Sequence, residues 1–431
     1  MTIAAVHLWG RVIGAVALEE GQRAATFQYD EQFARSGIQV APLMMPLREV
    51  PYSFPALSHD TFKGLPGLLA DSLPDKFGNA LIDVWLAQQQ RLAGSFDAVE
   101  RLLYTGSRGM GALEFAPARG PKGTKSETID LDALVELASA VLADRDKLKG
   151  SLEDPHRANS LREILQIGTS AGGARAKAVV AWNPRTQEVR SGQINAGDGF
   201  EYWLLKFDGV DNNKDKDLAD PKGFGAIEYA YYLMASEAGI AMSECRLLEE
   251  NGRRHFMTKR FDRTATGEKI HMQSLAALMH YDYNIPGANS YEQAILAMRQ
   301  LHLPMAQIEE QYRRAVFNVL ARNQDDHVKN IAFLMDKAGN WSLSPAFDVA
   351  YAYNPEGPWT SQHQMSLNGK RDGYVEEDFH AFAKTAGLKR GRDKVILGEI
   401  RDAVSRWSEF AEQAGVAKRF REQIASLHRI E

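Results

Sequence analysis

Cysteine is almost absent from this chain of 431 residues, and the single Cys245 excludes an internal disulfide as well as zinc-finger and iron–sulfur frameworks. Followed by Arg246 and apolar Leu247-Leu248, it reads as a packed small side chain rather than a catalytic thiol. Long apolar runs are missing too: none reaches the roughly 18 residues that a membrane span requires. The opening M-T-I-A-A-V-H-L-W-G-R-V-I-G-A-V-A-L is interrupted by His7 and Arg11 and has no basic segment before it. It therefore reads as strand, Gly10-Arg11 turn and strand rather than as a signal peptide. Neither sign of charge dominates. With a net charge of −5 and a sequence pI near 6.2, nothing global marks a nucleic-acid binder. Internal repeats, low-complexity tracts, a Walker A loop and an H-x-x-x-H pair are all lacking. These absences predict a cytoplasmic, globular protein without a membrane partner.

With 44% hydrophobic residues, the chain can bury one large core or two. Residues 1–118 mix short strand-like runs with Gly and Pro punctuation and include a helix-like stretch at Gly78–Ala87. Pro117–Ser126 is polar, rich in breakers and the best linker candidate. A helical pattern follows over Asp130–Leu148, then strand-like runs at Lys177–Trp182 and Glu201–Phe207. Beyond about residue 225 the pattern is mainly helical: Ala226–Ala238, Tyr291–Leu303, Met305–Leu320, Glu376–Ala386 and Lys394–Ala414. The expected fold class is α+β, a small mixed α/β N-terminal domain followed by a larger, helix-rich domain.

The chemistry concentrates between Asn323 and Asp348. The turn Asp336-Lys-Ala-Gly-Asn340 separates two short apolar runs, the sequence form of a β-hairpin. Asn330 enters that hairpin and Asp348 leaves it, which puts an amide oxygen and a carboxylate at one open end, a donor pair suited to Mg²⁺. Asp325 precedes Asn330 by five positions, the offset of the kinase pattern H-R-D-x-x-x-x-N, whose Asp receives the substrate hydroxyl proton. Upstream, Gly168–Lys177 is a glycine-rich turn feeding a strand, able to bring backbone N–H groups to an anion. Lys206 stands on a strand among apolar neighbours, where its charge resists burial unless paired. In His255–Arg263, an extended segment before a polar turn, Arg260 and Asp262 are expected to form a structural salt bridge. Two other classes compete: a regulatory protein on a kinase fold that has lost turnover, and a metal-dependent hydrolase using Asp325, Asp326 and His327. The second lacks further ligands at suitable spacing, and the first would have lost at least one of Lys206, Asp325, Asn330 and Asp348.

Taken together, Leu68-Leu-Ala-Asp-Ser-Leu-Pro-Asp75, Gly111-Ala-Leu-Glu-Phe115, Ser170-Ala-Gly-Gly-Ala-Arg-Ala-Lys177, Lys259-Arg-Phe-Asp-Arg263, Asp325-Asp-His-Val-Lys-Asn330 and Phe347-Asp348 resemble the HipA-type serine/threonine kinases, toxins of bacterial toxin–antitoxin pairs. The resemblance covers almost the whole chain. It implies an N-terminal domain over 1–118 and a protein-kinase-like domain over 127–431, using ATP and Mg²⁺. Asp325 would be the catalytic base, with His327 and Lys329 of the same motif and Lys206 in the catalytic set. Asn330 and Asp348 would hold the metal. The nucleotide would meet Ser170, Gly172, Gly173, Ala174, Arg175, Lys177 and Lys206, with Lys259 and Phe261 as the hinge around adenine. Ser170 would be the site of inactivating autophosphorylation. The implied substrate is a translation-related protein such as an aminoacyl-tRNA synthetase, and its phosphorylation would arrest growth. The implied partner is a small helix-turn-helix antitoxin, so that DNA is met only indirectly. Two positions depart from relatives: Lys259 stands where some carry Glu, and Asp326 follows the base where a small residue is usual, which makes it a competitor for the base or metal role.

Overall fold

The computed structural model describes residues 1–121, 129–143, 161, 163–168, 175–194, 196–210 and 222–430. The chain forms two compact units. The first comprises Met1–Gln39, Leu47–Gly225 and Cys245–Met272; the second comprises Val40–Pro46, Ala226–Glu244 and Gln273–Glu431.

In the first unit, strands β1 (Thr2–Leu8), β2 (Arg11–Leu18), β3 (Thr26–Tyr29), β4 (Tyr52–Ser53) and β5 (Leu113–Ala116) form a sheet in the order β4-β3-β2-β1-β5. The expected opening hairpin is present, with Leu8 paired to Arg11. Its two turn residues, Trp9 and Gly10, have φ of 49° and 78°, the positive pair that matches the twist of adjoining strands. A second sheet contains β6 (Lys177–Trp182), β7 (Val189–Ser191), β8 (Glu201–Lys206), β9 (Cys245–Glu250) and β10 (Arg253–Lys259), in the order β7-β6-β8-β10-β9. Every residue of β6 is buried, as the apolar run Ala178–Trp182 requires. The helices Lys76–Gln88 and Leu131–Ala143 explain why: Phe77, Leu81, Leu134 and Val135 share one core with Val180, Trp203 and Leu205. Residues on both sides of the 118–127 boundary expected from sequence thus bury one another.

The second unit is helical, with a short hairpin. Helices Met305–Leu320 and Glu376–Ala386 have the expected bounds, and Tyr291–Gln300 stops three residues short. The pattern read as one helix over Lys394–Ala414 is two, Arg392–Ser405 and Trp407–Gln413. At the break the Arg406 N–H bonds Ala403 O, three residues back, and the chain turns so that Trp407 is buried edge-on against Tyr231 at 5.2 Å. Lys418–Ala425, a helix the sequence reading did not anticipate, follows. Among the described residues no helix is long and apolar enough to cross a membrane.

Candidate active site

Helix Met305–Leu320 delivers the motif loop. It ends at Ala321, whose N–H bonds Phe317 O, and Arg322 at φ 56° turns the chain out of the helix. The Asn323 side chain then donates to Asn318 Oδ1 at 2.9 Å, fixing the loop to the helix it left. Beyond it the two aspartates diverge. Asp325 keeps a partly exposed carboxylate, whose Oδ1 accepts the indole N–H of Trp359 at 2.7 Å and lies 3.8 Å from His327 Nε2. Asp326 is fully buried and accepts three hydrogen bonds: from the Tyr291 hydroxyl at 2.6 Å, from His363 Nδ1 at 2.8 Å and from the Gln364 N–H at 2.7 Å. Burial alone would raise its carboxyl pKa, but His363, Tyr291 and Gln364 together hold it below the usual carboxylate range. Its oxygens are thus committed to the protein interior, which leaves Asp325 as the residue of the pair able to meet a substrate.

His327 starts a single 3₁₀ turn, Val328–Asn330, closed by the Asn330 N–H on His327 O at 2.9 Å. The Asn330 amide nitrogen donates to Asp325 O at 2.8 Å, so its amide oxygen is the end left for a cation. The expected hairpin follows. Ala332–Met335 pairs with Trp341–Leu343, and Asp336 caps the loop by accepting the N–H groups of Ala338 and Asn340. The chain leaves through Ala346, bonded to Ala241 O at 2.8 Å, and reaches Asp348 at φ 52°, a left-handed conformation that Asp tolerates better than most residues. Asn330 and Asp348 line one recess together with His327 and Phe347. The described residues contain no cluster of three or more His, Cys, Asp or Glu for a metal. Mg²⁺ asks less of a protein, since one or two oxygen donors suffice when water and phosphate supply the rest, and this amide–carboxylate pair fits it. Lys329 places its ammonium 5.0 Å from the centroid of the Tyr283 ring, which also lies 5.8 Å from the His327 ring.

The remaining candidates belong to the first unit. Lys206 ends β8, half-buried, in register with Lys177 on β6 and with Phe256 on β10, whose ring centroid is 5.7 Å from its ammonium. Residues directly opposite in antiparallel strands share a face, so the two lysines are neighbours. Lys177 is buried, its Nζ 3.6 Å from Asp75, which also caps helix Lys76–Gln88. Arg175 lies 3.6 Å over the Phe224 ring. Lys259 ends β10 with its ammonium 2.7 Å from Glu201, and Phe261 is half-buried in the turn that follows. Ser170, Gly172, Gly173 and Ala174 lie outside the described residues.

The Arg260–Asp262 salt bridge expected from sequence forms at 2.7 Å, wholly buried. Arg263 joins it at 2.9 Å and the Gly111 N–H donates to the same carboxylate at 2.7 Å. Two of the sequence hallmarks therefore meet here. Gly111 has φ 72°, and a Cβ on it would come within 3.1 Å of Met272 N. Burial pushes the Asp262 carboxyl up, but Arg260 and Arg263 outweigh it and hold it well below the carboxylate range. The sequence reading missed Trp359, His363 and Gln364 altogether. They lie more than thirty residues beyond the aspartates they touch, and nothing in their spacing marks them.

Comparison with known proteins divides the chain differently from its two compact units. Residues 4–116 match the HipA N-terminal domain, and residues 169–407 match the HipA-like C-terminal domain. A Haemophilus influenzae protein named "Putative kinase" is 26% identical over 216 residues, 43% of this chain and 62% of that protein, so the chain spans less than two thirds of this curated relative. The HipA–HipB–operator DNA complex of Shewanella oneidensis MR-1 contains a chain that superposes with a TM-score of 0.66 at 14% identity, over 98% of this chain and 96% of that one. That likeness shows a shared fold, a mixed α+β architecture with an N-terminal sheet domain before a larger kinase-like domain. Since the C-terminal family model alone spans more than half of its residues, the chain belongs to the HipA family.

Proposed function

We propose that this chain is an ATP- and Mg²⁺-dependent serine/threonine protein kinase acting as the toxin of a toxin–antitoxin pair. The observation that carries the reading is the second-unit arrangement: a partly exposed Asp325 beside Asn330, with Asn330 and Asp348 on one recess. Asp325 takes the proton of the acceptor hydroxyl as the phosphoryl group leaves ATP. Asn330 and Asp348 hold the cation; when bound, Mg²⁺ supplies neutralisation of the charge that gathers on the phosphate oxygens. Lys206 serves the nucleotide phosphates, His327 and Lys329 support the base, and Lys259 and Phe261 flank adenine through the backbone of their segment. Ser170 receives a phosphate from the kinase itself, and this silences it: a phosphoserine adds roughly −1.5 to −2 charge in a loop meant for ATP phosphates. The substrate is a translation-related protein, an aminoacyl-tRNA synthetase being the leading class. A small helix-turn-helix antitoxin is the partner through which DNA is reached, which is supported by the HipB and operator DNA bound in the Shewanella oneidensis structure. The 118/127 boundary between N-terminal and kinase domains is part of the same reading.

Purified protein incubated with labelled ATP, Mg²⁺ and a cell lysate should label itself and a small number of proteins. Asp325→Ala and Asp348→Ala should each lower transfer by roughly a hundredfold or more while the protein still folds, with the melting temperature in place for the first and slightly lowered for the second, whose φ of 52° suits Ala less than Asp. Near wild-type transfer by either folded variant refutes its assigned role. Failure of the wild-type protein to bind ATP at millimolar concentration favours a regulatory protein without turnover.

A further inference from the structure

Segment 359–364 is fastened to the motif loop on both sides of the base. The Gln324 side chain donates to Thr360 O at 3.1 Å, and Gln364 and His363 donate to the Asp326 carboxylate at 2.7 and 2.8 Å. The Gln364 amide also donates to the carbonyl of Trp359. The far side is held as well, by Arg371 Nε on His363 O at 2.6 Å and by Arg429 3.2 Å from His363 Nε2. Arginine only donates, so Nε2 accepts and Nδ1 carries the proton offered to Asp326. The product of this lacing is one aimed group. The indole N–H of Trp359, a donor with no acceptor capacity, is set 2.7 Å from Asp325 Oδ1. His327 Nε2 faces that same oxygen, and among the described residues Oδ2 has no hydrogen bond.

We propose that Trp359 is a positioning residue for Asp325: by holding Oδ1 it fixes the rotation of the carboxylate and presents Oδ2 to the acceptor hydroxyl. Its catalytic meaning rests on the kinase reading above, whereas the contact itself does not. A carboxylate held by one oxygen no longer samples its own rotation before each proton transfer, and such preorganisation acts on the chemical step rather than on nucleotide binding. The buried Asp326 is the anchor that makes the hold rigid. It gathers His363 and Gln364 from the segment that carries Trp359, one residue along the chain from the base being oriented.

Two measurements test this. The chain has seven tryptophans, so indole ¹⁵N labelling gives a countable set of N–H signals, with Trp359 identified by its loss in Trp359→Phe. Asp325→Ala should shift the Trp359 signal far more than the rest, and this requires neither ATP nor turnover. A Trp359 signal that stays in place in Asp325→Ala, with the remaining signals showing an intact fold, overturns the contact. In steady-state kinetics Trp359→Phe should lower kcat roughly tenfold and leave KM for ATP within about twofold, as expected for lost preorganisation. An unchanged kcat, or a loss confined to KM, overturns the positioning role. A wild-type protein that transfers no phosphate refutes the kinase reading and the catalytic meaning with it, while the indole signal decides the contact separately.

Discussion

Asp325 and Asp326 differ in nothing but surroundings, yet one is a candidate base and the other a structural anchor. Removing the anchor leaves three buried donors, on Tyr291, His363 and the Gln364 backbone, without their acceptor. Asp326→Ala should therefore cost about 3–5 kcal/mol of unfolding free energy, in the range seen when one partner of a buried charged network is deleted. Asp325→Ala, at a partly exposed site, should cost less than about 1 kcal/mol. Denaturant titration of the two variants distinguishes them, and equal losses would show that the buried network contributes little. Since Asp326 titrates lower in the folded chain than in the unfolded one, its contribution is present above the unfolded carboxylate value of about 3.9 and is lost as pH falls below it. Spacing alone could nominate the D-D pair but could not choose between its members. The choice is made by Tyr291, His363 and Gln364, which the sequence places far away.

The helix Met305–Leu320 and the hairpin after it are tied by Arg314, whose guanidinium donates to Glu310 at 2.8 Å and to Ser344 O at 2.9 Å. Ser344 in turn donates its N–H to Ala332 O, so this arginine fixes the exit of the hairpin four residues before Asp348. Arg314→Met keeps the bulk but takes the guanidinium from Glu310, which retains only the Ala241 N–H, and leaves Ser344 O without its side-chain donor. We expect a loss of about 2–4 kcal/mol in thermal or denaturant unfolding. A parallel rise in the Mg²⁺ concentration needed for activity should appear, and an unchanged requirement would show that Asp348 is placed without this tie. Elements of this kind were legible wherever period and punctuation agreed: β6, the hairpin around Asp336–Asn340 and the helices Met305–Leu320 and Glu376–Ala386 stand where alternation, turn residues and helical spacing put them. The break at Arg406 was not legible. Both flanking stretches are good helix formers, and what turns the chain is the burial of Trp407 against Tyr231, a tertiary demand with no local mark.

For the whole molecule, His255 of the first unit makes stability depend on pH. Its imidazole is completely buried, accepts the Asp208 N–H at 3.0 Å, and lies 3.6 Å from Glu250. Burial lowers its pKa to about 4, with Asp208 opposing and Arg253 adding to the effect. An unfolded chain takes up this proton near 6.5, so the contribution is complete above that value and is lost as pH falls toward 4. By linkage this loss amounts to roughly 3 kcal/mol, and His255→Gln should flatten the fall in denaturation midpoint between pH 7 and pH 4.5. An equally steep fall in the variant would assign the proton to another group. The core that joins Phe77 and Leu81 to Val180, Trp203 and Leu205 has a genetic consequence. A coding frame split between residues 121 and 129 would produce two polypeptides, the first taking Phe77, Ala80, Leu81 and Val84 and the second the rest of that apolar interior. Expressed singly, each should aggregate; expressed together, they should assemble and restore one another, so the two family segments behave under recombination as a single inherited block.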